Sequence, residues 1–475
     1  MVHIPVLRRG ETYRSLSVIE LPDVRTGETV AEVSQANSGL IVRDLAQAAS
    51  ARRALEVLPV AELIAICKRA ADLFLNAELP VGDEAQGPED YIRQLSATTG
   101  LPEVMAARNM SKSHFVLDEM ETVLGGLTRG LDLSVLDRGF GAQEGRPVSY
   151  RRETDVLGAV LPSNSPGVHA LWLPAIPLKV TLALKPGRQE PWTPYRVAQA
   201  FLAAGCPPEA LGFYPTDYSG AGEILQRTGR SLFFGDAKTV RQYSSNPGVQ
   251  LHGPGWSKVV LAGAEAEEWQ PHVETMAASV ADNGGRSCIN ASGVWTTANG
   301  REIAEALAER LAKIEARPLD HPEAGLAAFP SLQAAQGLSD YIDARLGDGA
   351  EDLTARYRAG GRVAEAGGCA FVLPTVIYCT DPDHELAHAE FLFPFVSVVE
   401  AGRDDLVRRM GASLVVSAIT EDPEMRQEIL SAVNVERLNF GSIPTSHVTW
   451  DQPHEGNLFE HLYRQRAIQG PEIAA

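Results

Sequence analysis

From Val156 onward the chain alternates between short apolar runs and helical segments. Val156–Leu161, Thr181–Leu184, Leu211–Tyr214 and Ser231–Phe234 read as strands. Leu171–Leu178, Pro194–Ala204 and Gly220–Thr228 fall between them with helical spacing. Strands joined through helices pair in parallel and are covered on both faces, which explains why these runs are apolar throughout. A second series follows. Val259–Leu261, Gly293–Thr296, Phe371–Val376 and Val396–Val399 read as strands, and His272–Ala281, Arg301–Ile314 and Glu424–Val433 as helices. The fold class is therefore α/β. With 475 residues, about two to three domains are expected. Parallel sheets of this kind take ligands at the carboxyl ends of their strands.

Before Val156 the pattern is mainly helical. Ala46–Leu58, Val60–Asn76, Pro88–Thr99 and Glu103–Leu124 place apolar residues at three- and four-residue spacing, after a short-stranded lead-in over residues 1–40. Leu63, Ile64, Cys67, Ala70, Ala71 and Phe74 share one face, so Cys67 is expected in the core. Residues 126–150 carry strand-like pieces at Leu131–Leu136 and Pro147–Arg152 around a glycine-rich middle, as in a protruding hairpin.

Composition excludes several classes. The formal net charge of -19 argues against nucleic acid or an anionic membrane as the general partner, since both select basic surfaces. The five cysteines, Cys67, Cys206, Cys288, Cys369 and Cys379, show no CxxC pair. That suits a reducing compartment, the cytoplasm by default, and no metal site. No apolar run is long enough to span a membrane.

One cysteine stands apart. Cys288 follows Asn283-Gly284-Gly285-Arg286-Ser287 and precedes a strand. Two glycines permit a sharp bend and close approach to a ligand. A thiol held there is a candidate nucleophile for carbonyl carbon. The ordinary alternative is a small buried core residue.

Several ordered motifs then resemble the aldehyde dehydrogenase superfamily over nearly the whole chain. Val160-Leu161-Pro162-Ser163-Asn164-Ser165-Pro166 is similar to the family's Pro-x-Asn loop, and Ala183-Leu184-Lys185-Pro186 to its cofactor-binding strand end. Phe233-Phe234-Gly235-Asp236 resembles its Phe-x-Gly-Ser turn. Cys288 follows at the expected distance. Pro374-Thr375 and Glu390-Phe391-Leu392-Phe393-Pro394 resemble its last conserved segments, and Asn439 its C-terminal asparagine.

The resemblance implies a Rossmann-type cofactor domain over 1–128 and 151–251 and an α/β catalytic domain over 252–443. It also implies an oligomerisation element over 129–150 and 444–475, giving a homodimer or homotetramer. It implies NADP or NAD as cofactor, bound through Lys185, Arg188, Gly235, Asp236, Glu390 and Phe393. The implied chemistry is oxidation of a small aldehyde through a Cys288 thiohemiacetal and thioester. The oxyanion would be held by the side chain of Asn164 and the backbone N–H of Cys288. Arg188 stands where NAD-preferring members often carry a glutamate, and a guanidinium can pair with a 2′-phosphate.

Three departures bear on function. Arg286 replaces the family's Gln or Glu two residues before the cysteine, and a cation there would favour the thiolate unless it faces outward in an ion pair. Val240 replaces the second glycine of the turn after Gly235. His252 takes the place of the general-base glutamate, before Gly253-Pro254-Gly255. Loss of that glutamate resembles CoA-acylating members, and CoA is the slightly favoured acyl acceptor. Hydrolysis with His252 as base is the alternative, and a catalytically silent binding or scaffold relative is a third reading. Arg108, Asn109, Lys112 and His114 would lie on a helix beside the substrate.

Overall fold

The computed structural model describes residues 2–470, so residues 471–475 of the expected oligomerisation tail lie outside it. Two seven-stranded sheets form the frame. The first runs in the order Val249–His252, Arg230–Phe234, Val156–Val160, Thr181–Lys185, Leu211–Phe213, Val6–Arg8, Glu11–Tyr13. Its first five strands are parallel, and Val6–Arg8 joins antiparallel to Leu211–Phe213. Val156–Val160 has its sequence successor on one side and Arg230–Phe234 on the other. The winding direction thus reverses between those two strands, which opens a crevice at their carboxyl ends.

The second sheet runs Ala350–Asp352, Thr375–Cys379, Phe395–Glu400, Ala291–Thr296, Ser257–Leu261, Ser413–Ile419, Val435–Phe440. All its pairings are parallel except the edge strand Ala350–Asp352. Only Gly253–Trp256 separates the last parallel strand of the first sheet, Val249–His252, from Ser257–Leu261 of the second. The chain therefore leaves the carboxyl edge of one sheet and enters the amino edge of the other within four residues. The site lies at that junction.

Most expected elements are present, and the exceptions have local causes. The helix Val60–Asn76 buries Leu63, Ile66, Cys67, Ala70, Ala71 and Phe74, so Cys67 is core. The stretch expected as one helix from Glu103 is two, Glu103–Asp118 and Met120–Leu127, broken at Glu119 with φ -92° and ψ 24°. Leu171–Leu178 is replaced by two short 3-10 turns, Pro166–Leu171 and Leu173–Ala175, since Pro174 and Pro177 inside the stretch each withhold an amide donor from a continuous helix. Leu131–Leu136 is no strand: Val135–Arg138 is a helical turn, and the hairpin is Gly141–Gln143 with Arg146–Arg152. Phe371–Val376 divides at Pro374 into strands of two different sheets. The helix Leu332–Asp343 and the strand Ser413–Ile419 were not anticipated. The hairpin strand Arg146–Arg152 pairs with Tyr463–Arg466, which ties the tail to it.

Candidate active site

Cys288 sits three residues before the strand Ala291–Thr296, at the amino edge of the second sheet. Its bend is built from three successive left-handed residues. Asn283 has φ 52°, Gly284 φ 65° and Gly285 φ 69°. A Cβ on Gly285 would collide with the backbone of Phe393 and Pro394, so the position admits only glycine. Asn290 secures the far side of the bend. Its Oδ1 accepts from Ser287 N at 2.8 Å, and its Nδ2 donates to the carbonyls of Ser279 and Asp282. The Cys288 carbonyl accepts from Ser257 Oγ at 2.8 Å, and a Cβ on Gly255 would strike that same carbonyl. Gly255 is thus explained by close packing against the nucleophile's backbone.

Two cavities meet at Cys288. The larger, of 630 Å³, lies at the crevice of the first sheet. It is lined by Pro162, Ser163 and Asn164 after one strand, Phe234, Gly235 and Asp236 after its neighbour, and His252, Glu390 and Cys288. The smaller, of 380 Å³, includes Asn109, Lys112, Val168, Leu171, Ile289 and Trp450 around Cys288. Of the helix residues expected beside the substrate, Asn109 and Lys112 line this cavity and Arg108 and His114 do not.

Burial pushes the Cys288 thiol well above the ordinary range, and the charges of Glu455 and Glu390 act in the same direction. The backbone N–H groups of Cys288 and Ile289 favour the thiolate but are outweighed. Arg286 does not supply the cation considered from the sequence, nor does it face outward. Its guanidinium donates to the carbonyls of Thr99, at 2.7 Å, and Ala328. Burial lowers its own pKa to about 10. It works as a bracket that joins the nucleophile bend to two other segments.

Asn164 comes within reach of the same bend. Its Nδ2 donates to the Arg286 carbonyl at 2.8 Å, which orients the amide and leaves its second N–H available. His252 ends its strand buried, stacked on Phe234 with centroids 4.3 Å apart and planes 12° from parallel. Its Nδ1 pairs with a carboxylate oxygen of Glu455. A carboxylate opposite Nδ1 fixes the tautomer in which Nε2 holds the free lone pair. Nε2 is buried with no partner among the described residues. Glu455 was not singled out from the sequence. It lies 203 residues from His252, and nothing in its neighbourhood marks it as a partner.

The expected cofactor residues divide. Glu390 lines the large cavity but turns its carboxylate to the backbone, accepting from Gly255 N at 3.0 Å and from Trp256 N. Burial raises its pKa to about 7. Those bonds hold Trp256 in a left-handed conformation, φ 43°, with the Lys258 ammonium donating to the Trp256 carbonyl at 2.5 Å. Burial lowers Lys258 to about 7, against the pull of Glu390. Phe393 does not border the cavity. It is packed in the core against Phe391, Phe395 and Phe329, and Phe391 and Leu392 line the wall. Lys185 is half-buried at its strand end, lowered in pKa by burial, and lies outside the lining together with the exposed Arg188. Asn439 bonds across its sheet to Ser417 Oγ at 3.1 Å and is structural.

The cavity's place at the winding reversal, its depth to Cys288 and its mixed lining fit the nicotinamide end of a dinucleotide. The helix Ala237–Tyr243 does not offer a pyrophosphate the usual free N-terminus. Asp236 already caps it, accepting from Thr239 N at 2.8 Å and Thr239 Oγ1 at 2.7 Å. Among the described residues no cluster suits a metal ion, and no helix is long and apolar enough to cross a membrane.

Comparison with known proteins agrees with this geometry. The profile of the aldehyde dehydrogenase family matches residues 12–456. The chain is 31% identical over 180 residues to a phenylacetaldehyde dehydrogenase of Pseudomonas fluorescens, covering 36% of this chain and 35% of that protein. It is 27% identical over 308 residues to an aminoacetaldehyde dehydrogenase of Pseudomonas aeruginosa, covering 60% and 59%. These matches thus span less than two thirds of either relative. A solved indole-3-acetaldehyde dehydrogenase complexed with NAD+ superposes with a TM-score of 0.78 at 18% identity, over 98% of this chain and 96% of that one. With its Cys288 bend, Asn164 loop and two-sheet frame inside the matched span, the chain belongs to the aldehyde dehydrogenase family, a family of NAD(P)-dependent enzymes.

Proposed function

We propose that this chain oxidises an aldehyde at Cys288 with NAD or NADP as hydride acceptor and releases the acyl group to water. The observation that supports it most is that Cys288, Asn164 and His252 line one cavity, with His252 paired to Glu455 behind it. The aldehyde enters through the 380 Å³ cavity. Its carbonyl carbon is attacked by the Cys288 sulfur, whose proton passes to Nε2 of His252. The developing oxyanion is stabilised by the second N–H of Asn164 and the backbone N–H of Cys288. A nicotinamide held in the 630 Å³ cavity would supply the hydride acceptor, and loss of hydride from the Cys288 adduct would leave a thioester. His252, oriented by Glu455, gives the thiol's proton up to solvent, then takes a proton from water as the water attacks the thioester carbon and returns it to the departing Cys288 sulfur. The carbon–sulfur bond breaks and the acid leaves.

This reading moves from CoA towards water as acceptor. Gly255, in the Gly-Pro-Gly run after His252, is accounted for by its close approach to the Cys288 carbonyl. His252 retains a base's arrangement. Release to CoA is the competing route, since Gly253 and Pro254 do border the cavity and a thiol needs less activation than water. Lys185 and Arg188 are assigned to the adenosine end, with Arg188 on a 2′-phosphate. We further assign 1–128 and 151–251 to a cofactor domain and 252–443 to a catalytic domain. The hairpin and tail form an oligomerisation element. The test is an aldehyde panel followed by nicotinamide absorbance, with and without CoA. Wild type should oxidise at least one aldehyde without CoA, and Cys288→Ala should oxidise none. Turnover retained in the variant, or absent without CoA, contradicts the proposal.

A further inference from the structure

Beneath the two oxyanion donors lies a buried polar chain to which neither the sequence nor the proposed reaction assigns a role. Asn283 is buried, and its Nδ2 donates to Ser165 Oγ at 3.2 Å and to Ser287 Oγ at 3.1 Å. Ser165 is the chain neighbour of Asn164, and Ser287 is the chain neighbour of Cys288. The two hydroxyls also meet at 3.4 Å. The Asn283 Oδ1 is held in turn by Asn109 Nδ2 at 2.7 Å, and the same nitrogen donates to the Met105 carbonyl at 2.8 Å. Asn109 belongs to the helix Glu103–Asp118, which neighbours neither loop in the chain.

We infer that Asn283, fixed by Asn109, is a positioning residue that sets the spacing between the Asn164 amide and the Cys288 bend. The inference rests on the reading of Asn164 and Cys288 N as oxyanion donors. One side-chain amide spans the loop of each donor, so each loop's freedom to drift from the other is removed. Oxyanion stabilisation depends on donors placed to within a fraction of an ångström of where charge develops, and an error near 1 Å can cost about a hundredfold in rate. The left-handed backbone of Asn283 makes the test clean. Glycine adopts φ 52° without strain, so Asn283→Gly deletes the amide while keeping the bend.

The experiment uses two reagents on the full chain. An activated nitrophenyl ester acylates Cys288: a sulfur–carbon bond forms, the ester carbon–oxygen bond breaks, nitrophenolate leaves, and an oxyanion must be stabilised on the way. Iodoacetamide alkylates the same sulfur with loss of iodide and no oxyanion. Asn283→Gly should slow ester acylation by about ten- to a hundredfold and leave alkylation within about twofold of wild type. Asn109→Leu, which frees Asn283 Oδ1 but leaves the bend untouched, should act in the same direction more weakly. It keeps the test usable should the glycine variant fold poorly. Unchanged acylation in both variants overturns the inference. Acylation and alkylation slowing in step also overturn it, since the amide is then only scaffold. Asn164→Ala separates the underlying reading: if that variant acylates normally, the oxyanion assignment itself fails.

Discussion

At Cys288 the electrostatics run against ready ionisation. Desolvation disfavours the thiolate, and Glu455 and Glu390 add negative charge nearby. The sign is definite: below its raised pKa the reactive fraction grows about tenfold per pH unit. Alkylation of Cys288 by iodoacetamide in the free protein should therefore climb from pH 7 to pH 9 without levelling. A plateau below pH 8 would contradict the assigned environment. Glu455→Gln removes one of the two opposing charges and should speed alkylation at pH 7. Labelling should favour Cys288 throughout. Cys288 borders two cavities, whereas Cys67, Cys206, Cys369 and Cys379 are buried. The bend at Cys288 was legible because glycines beside a strand are a local pattern. Arg286 was misread for the opposite reason. Its partners, the carbonyls of Thr99 and Ala328, lie 187 and 42 residues away, and no local pattern reports them.

The short helix Ala237–Tyr243 is where this chain departs most from its motif. Val240, in the place of the expected glycine, is half-buried and packs with Phe233, Leu225 and Val249. Asp236 caps the helix through Thr239 and puts a carboxylate on the positive end of the dipole. That carboxylate repels a dinucleotide's pyrophosphate. Asp236→Ser keeps a hydroxyl acceptor for the cap and removes the charge. It should tighten NADPH binding by about two- to fivefold, as removal of one solvent-screened charge at a helix end does. Fluorescence titration of NADPH measures this. Unchanged or weaker affinity would mean that the pyrophosphate lies elsewhere. A helix after this turn was expected from the sequence, and Ala237–Tyr243 is that helix. Helices with a full apolar face, such as Val60–Asn76, were legible to the residue. The break at Glu119 was not, since the apolar spacing continues across it.

Taken as a whole, the molecule sets the carboxyl edge of one parallel sheet against the amino edge of another. Strand and helix alternation foretold both sheets, and motif order foretold that Asn164 and Cys288 would meet. The pairing on which the proposed chemistry rests was hidden. His252 ends the first sheet, and Glu455 arrives from the tail after the second sheet is complete. Such a contact exists only once both sheets and the tail are assembled. The central claim is a Cys288 thioester cleared by water through His252. Its most direct test is intact-protein mass spectrometry after one turnover with aldehyde and NAD(P), in wild type and His252→Ala. The account predicts that the variant accumulates an adduct of acyl mass on Cys288 while wild type clears it without CoA. Clearance at equal rates in the two proteins, or an adduct on another cysteine, would contradict it.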